Sequence, residues 1–137
     1  MKFVLDASIG FKWFLVEDES PRARVLRDDF RMGTVELLAP DVFPVEIIHA
    51  LTRAERMKRI TPQEGAQLVS DLFEILPALH PSLPLLPRAY EISSQARIGV
   101  FDCLYVALAE VEQCQVVSVD ARMLELFPDR VIAISSL

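Results

Sequence analysis

Short apolar runs alternate with longer stretches of helical periodicity from one end of the chain to the other. Phe3, Val4 and Leu5 are consecutive and apolar, the pattern of a central parallel strand covered on both faces, and the run from Lys2 stops at Asp6-Ala7-Ser8. Ser20-Pro21 predicts a helix to about Arg31, with serine as its cap and proline in the first helical position. Val35 to Ala39 reads as a short strand. Pro40-Asp41 then starts a long helix to about Arg59, with Asp41 as N-cap and Pro44 still inside the first turn. Thr61-Pro62-Gln63-Glu64 is a capping box, and the helix it opens is expected to reach about Leu76.

Pro77, Pro81, Pro84 and Pro87 punctuate the next stretch, which predicts a short edge strand among loops. Pro87 to Ala96 and Asp102 to Gln113 read as helices, and Val116 to Val119 as a buried strand ending at Asp120. A short helix over Ala121 to Leu126 and a last strand over Val131 to Ile134 complete the pattern. Strands alternating with helices predict an α/β fold, a three-layer α/β/α sandwich around a mostly parallel sheet. There is no repeat, low-complexity segment or linker, so residues 1–137 read as one domain.

Composition adds limits. Hydrophobic residues make up 52% of the chain, ample for a core, and no apolar run is long enough to cross a bilayer. The apolar window before Asp6 is too short for a secretory leader. Cys103 and Cys114, if both lie on or beside one helix, are separated by roughly 16 Å at ~1.5 Å rise per residue, too far for a disulfide. A soluble, reduced, cytoplasmic protein is the expectation. The net charge of −6 argues at first against nucleic acid as a partner, but carboxylates gathered on a divalent ion would reverse the local sign.

The positions of four acids carry the chemistry. Open parallel sheets bind ligands outside the carboxyl ends of their strands, and Asp6 and Asp120 each follow a strand. Each could equally cap the helix after it. Glu46 sits early in the long helix among Val45, Ile47 and Ile48, and Asp102 opens another within Val100-Phe101-Asp102-Cys103-Leu104. Acids in such surroundings are costly unless paired, capping or bound to metal. A salt bridge for Glu46 and an N-cap for Asp102 are the plain alternatives. Brought to one rim, the four would repel each other without a counter-cation. Oxygen donors suit Mg²⁺ or Mn²⁺, and the scarcity of histidine and cysteine disfavours zinc.

At this point the chain resembles the PIN-domain family, in particular its VapC type. The resemblance rests on Phe3–Phe14 (FVLDASIGFKWF), Ala39–Leu51 (APDVFPVEIIHAL), Gly99–Glu110 (GVFDCLYVALAE) and Val116–Leu124 (VVSVDARML), and runs over essentially the whole chain. It implies that Asp6, Glu46, Asp102 and Asp120 hold divalent metal as the catalytic cluster. It further implies endoribonuclease activity, a homodimer, and inhibition by a small antitoxin whose tail enters the active-site region. Ser8 and Ser118 match positions where a small polar or hydroxyl residue supports the site. His49 departs from the family, which commonly has asparagine there; three residues after Glu46, it shares a helical face with it and is expected beside the site rather than as a ligand.

The resemblance and metal chemistry together imply in-line hydrolysis of RNA phosphodiesters, leaving 5′-phosphate and 3′-hydroxyl ends. Arg53, Arg56, Lys58 and Arg59, or Arg22, Arg24, Arg27 and Arg31, could supply phosphate contacts, although a solvated helix face accounts for either group. Phe11, Trp13 and Phe14 read as core or dimer contacts. A phosphotransfer aspartate is disfavoured, since Ser8 stands where a dehalogenase-type pattern needs a second aspartate, and no lysine lies in the second half of the chain. The other alternative is a PIN-fold binding module without nuclease activity, which would have no need of all four acids.

Overall fold

The computed structural model describes residues 1–137. The elements are β1 (Lys2–Leu5), α1 (Ala7–Phe11), α2 (Ser20–Arg31), β2 (Glu36–Pro40), α3 (Phe43–Arg56), α4 (Pro62–Phe73), β3 (Ala78–His80), α5 (Leu86–Ala96), α6 (Val100–Glu112), β4 (Gln115–Ser118), α7 (Ala121–Leu126) and β5 (Val131–Ala133), with short 3₁₀ turns at Leu83–Leu85 and Ile134–Ser136. The five strands form one sheet in the order β3-β2-β1-β4-β5, and every neighbouring pair is parallel. The chain moves outward from β1 through β2 to β3, crosses back to β4 and moves outward again to β5. Right-handed crossovers then put α1 to α4 on one face and α5 to α7 on the other. Packing follows that division: α3 contacts α1 and α4, while α5 packs along α6. This is the three-layer α/β sandwich anticipated from the sequence.

Direction reverses between β1 and β4, so the fold's switch point lies where those strands end side by side. Val4 pairs with Val116 and Leu5 with Val117, and the Asp6 amide extends the ladder by donating to the Val117 carbonyl at 3.1 Å. The residues that follow β1 and β4 therefore emerge at one rim. Beneath it the core is continuous. On α6 every residue from Cys103 to Ala109 is buried, as expected of a helix apolar on all sides.

Several helix ends differ from their sequence expectation. Val42, not Asp41, occupies the N-cap of α3, and Pro44 is still in the first turn. The Asp41 carboxylate instead accepts from the backbone N–H and hydroxyl of Ser82, tying the start of α3 to the loop after β3. Ser20 is the first residue of α2 rather than its cap; its buried hydroxyl donates to the Lys12 and Leu15 carbonyls and accepts from the Glu17 N–H, stitching the α1–α2 connection. The capping box at Thr61 and Glu64 forms with both reciprocal bonds. Trp13 belongs to the core, its indole N–H donating to the Ala23 carbonyl at 2.8 Å. Cys103 and Cys114 are both free thiols, and no helix is long and apolar enough to cross a membrane.

Helix α1 is a five-residue element with no side-chain cap. It is held by close approach to α3, since a β-carbon on Gly10 would lie 2.6 and 2.9 Å from ring atoms of Phe43 and 3.3 Å from Ile47. Phe43 is fully buried and cannot turn away without opening the core. Gly10→Ala is therefore expected to destabilise the protein by about 1–3 kcal/mol, as overpacking does. A urea midpoint equal to that of the unaltered chain would contradict this packing.

Candidate active site

Asp6 follows β1 with extended backbone (φ −69°, ψ 144°), and its carbonyl accepts the first hydrogen bonds of α1, from Ile9 and Gly10. Its side chain makes no cap bond. It turns instead toward β4, where Oδ2 accepts from the hydroxyls of Ser8 at 2.6 Å and Ser118 at 2.8 Å. Asp6 is 5% exposed, and burial holds its carboxyl above the usual range even though both serines favour the ionised form; repulsion from Asp120 adds to the rise. The helix-cap alternative for Asp6 is thereby removed.

Asp120 does cap its helix. Its Oδ1 accepts from the N–H groups of Arg122 at 2.9 Å and Met123 at 3.1 Å, while no protein donor is bonded to Oδ2. The Ser118 hydroxyl accepts from the Asp120 N–H at 3.0 Å, so one serine supports the turn of one acid and the carboxylate of another.

Glu46 and Asp102 approach from the two helix layers. Asp102 lies in the first turn of α6 but Gly99 is the N-cap, and the Asp102 carboxylate accepts no hydrogen bond from the protein. Burial, then repulsion from Asp6 and Asp120, push it up to about 6. Glu46 has no salt bridge; its Oε1 accepts from the hydroxyl of Tyr105, an α6 residue, at 3.2 Å. Burial raises Glu46 to about 7, with Asp6 and Asp102 adding repulsion against the lowering effect of Tyr105. The loop before Asp102 is fastened to the helix after Asp120 by Arg122, whose guanidinium donates to the Arg97 carbonyl at 3.0 Å.

Repulsion links the acids at a single rim: Asp6 acts on Glu46 and Asp102, Asp102 acts on Glu46, and Asp120 acts on Asp6 and Asp102. None takes part in any of the ion pairs of the molecule, which involve Glu17, Glu19, Asp28, Glu91, Glu110 and Glu112. Negative charge is gathered here and no protein cation neutralises it. As they stand, no three side chains close tightly enough on one point to enclose an ion. Asp6 Oδ2 is engaged by serines and Asp120 Oδ1 by its own helix, which leaves one oxygen of each free of protein donors. An all-oxygen donor set with free edges on Asp102 and Asp120 fits an ion such as Mg²⁺ that keeps much of its water and takes few protein ligands.

A family model described as the PIN domain matches residues 3–126 of the chain. The chain belongs to the PIN-domain family. Among curated relatives of this PIN domain, Ribonuclease VapC3 of Pyrobaculum aerophilum is 28% identical over 93% of the chain and 96% of the relative. Ribonuclease VapC12 of Mycobacterium tuberculosis is 31% identical over 88% of each, which makes the PIN domain one of VapC type. Two solved structures share its fold: PAE2754 of Pyrobaculum aerophilum, with a TM-score of 0.74 and 14% identity over 99% of this chain and 85% of the other, and VapBC2 of Rickettsia felis bound to a promoter DNA fragment, with a TM-score of 0.65 and 13% identity over 97% and 98%.

Around the PIN-domain rim, the structure brings Ser8 and Ser118 together on Asp6. His49 is exposed on α3, and its ring makes no hydrogen bond or ion pair; its backbone carbonyl accepts from Thr52. Tyr105 was not singled out from the sequence. A tyrosine inside an otherwise apolar helix, three residues after a candidate acid, is the signal that marks it, because a buried phenol needs a partner. Burial and the neighbouring acids hold its own ionisation far above the usual range, so it remains a donor to Glu46. Cys103, beside Asp102, is pushed up to about 11 by burial and is no nucleophile near neutrality. Tyr105→Phe is expected to raise the Glu46 titration further and to cost about 1–2 kcal/mol of stability. NMR titration of the Glu46 carboxyl carbon checks the first effect, and an unchanged or lower midpoint would contradict the assigned bond.

Proposed function

We propose that residues 1–137 act as one PIN domain with the activity of a divalent-metal-dependent endoribonuclease, serving as the toxin of a toxin–antitoxin pair. The observation that carries this reading is the gathering of Asp6, Glu46, Asp102 and Asp120 at one rim with none of them in an ion pair. The relatives, which are VapC ribonucleases, supply the class of substrate. An antitoxin partner, self-association into a dimer and a cytoplasmic site of action belong to the same reading.

Asp6, Asp102 and Asp120 would hold Mg²⁺ or Mn²⁺, directly or through water, with Glu46 completing the set. The bound ion supplies charge neutralisation at the phosphate and a water acidic enough to attack near neutral pH. The chain's own groups have separate tasks. Ser8 and Ser118 fix Asp6 in one rotamer. Tyr105 orients Glu46 by donating to Oε1, which leaves the carboxylate aimed at the ion or the water it holds. Arg122 keeps the loop before Asp102 in register with Asp120.

The test is cleavage of total RNA by purified protein with Mg²⁺ or Mn²⁺, with and without EDTA. Cutting that EDTA abolishes, leaving 5′-phosphate and 3′-hydroxyl ends, is the expected result. Absence of cutting with either ion, together with normal growth on expression, would overturn it in favour of a PIN-fold binding module.

A further inference from the structure

A groove of about 300 Å³ lies between α1 and the exposed flank of α3. Its near end is at Ala50, one helical turn beyond Glu46 on the same face of α3. Ala54 and Met57 continue that face away from the carboxylates, and Phe11, the last residue of α1, forms the opposite wall. Met57 is 61% exposed although it is a large apolar side chain.

The groove's charge is opposite to that of the rim. Arg53 lines it and makes neither an ion pair nor a side-chain hydrogen bond, whereas Arg59 is bonded to Glu17 at 3.0 Å. Glu17 also pairs with the buried Lys12 at 3.4 Å, so its single charge is set against two cations and Arg53 has none to oppose it. In a chain of net charge −6, this is a local excess of positive charge next to the carboxylate cluster. Seven residues of helix put the Arg53 backbone roughly 10 Å from that of Glu46.

We propose that this groove seats a nucleotide of single-stranded RNA flanking the bond to be cut, with its base against Phe11 and Met57 and its phosphate on Arg53. The inference rests on the ribonuclease reading above and adds where the strand leaves the carboxylate rim. The half-buried Phe11 ring, the exposed Met57 thioether and Ala50, over a floor at the buried Ala54, offer a sequence-tolerant apolar surface for a base. An unpaired guanidinium supplies the phosphate contact, with Arg59 close by.

The experiment uses the full chain carrying Asp6→Asn, in EDTA, with labelled single-stranded RNA of mixed sequence and lengths from 4 to 12 nucleotides, read by fluorescence anisotropy. Adding Arg53→Glu is expected to weaken binding of the longer RNAs about tenfold and to lower the slope of log affinity against log salt by roughly 0.7. Adding Met57→Ala is expected to weaken binding a few-fold at unchanged slope. Lys2→Glu is the charge control: Lys2 opens β1 at the end of the sheet opposite the rim, where it pairs with Glu112, and the change is expected to alter affinity less than twofold. Equal affinities for the Arg53→Glu and Lys2→Glu proteins would overturn the proposal and leave the groove to a protein segment. Cleavage by the unaltered chain with Mn²⁺, run alongside, separates the failures. Cutting without an Arg53 effect removes the groove alone, while neither cutting nor RNA binding removes the ribonuclease reading as well.

Discussion

Replacing Asp6 by asparagine is expected to lower metal-dependent RNA cleavage at least ~100-fold, a loss of about 2.7 kcal/mol of transition-state stabilisation, while leaving the fold intact. The carboxylate is buried, and its bonds at Oδ2 come from the serine hydroxyls of Ser8 and Ser118, which an amide oxygen can accept equally well. What disappears is the charge. Asp6 raises the titrations of both Glu46 and Asp102, so both should fall toward ordinary carboxylate values in the variant. Asp102→Asn is expected to abolish cleavage in the same way, because that carboxylate has no bond to the protein to lose. Cleavage rates of folded, purified variants decide the matter, and either one retaining full activity would remove its aspartate from the catalytic set.

The second large effect is on stability. Asp6, Glu46 and Asp102 all hold protons more tightly in the folded chain than an exposed carboxylate does. As pH rises from about 4 through the folded values of about 6 for Asp102 and about 7 for Glu46, the unfolded chain has already released protons that the folded chain must give up against repulsion. Stability of the metal-free protein therefore falls over this window. Allowing for solvent screening of the partly exposed Glu46 and Asp102, the loss is about 2 kcal/mol, or roughly 5 to 10 °C in Tm. Glu110 works in the opposite sense. Hydrogen bonds from Arg88 hold it below its usual range, so its contribution is lost only at lower pH and does not mask the trend between pH 5.5 and 8. Mn²⁺ is expected to raise Tm more at pH 8 than at pH 5.5, where protons compete for the same oxygens. Thermal melts at the two pH values, with and without the ion, check both statements; a flat Tm together with an equal metal effect would contradict the coupled rim.

Much of this arrangement was legible in the residues. The apolar run at Phe3, Val4 and Leu5 and the one at Val116 have the pattern of strands covered on both faces, and an acid stands shortly after each. Parallel topology then brought Asp6 and Asp120 to one rim. Other features lay beyond sequence periodicity. Helix α1 spans five residues without a side-chain cap, too short for an apolar stripe to show, and it exists because Gly10 lets it settle on Phe43. The choice between capping and facing the site went one way for Asp6 and the other for Asp120, because only Asp6 has two serine hydroxyls donating to one of its carboxylate oxygens. At Asp41 the competing partner was Ser82, 41 residues away, and such a pairing leaves no trace in local sequence.

The middle position of β1 has one more consequence. Asp6 sits at the end of a strand bonded on both sides, and its own amide is bonded to Val117. Asp120 lies past the end of β4 and rests on a six-residue helix. Openings that fall short of global unfolding involve the weakly anchored elements first. In hydrogen–deuterium exchange the Asp6 amide should be among the last to exchange, while those of α7 exchange through local opening. The two strand-end carboxylates would then belong to different cooperative units, and the cluster would come apart from the Asp120 side while Asp6 stayed fixed in the sheet.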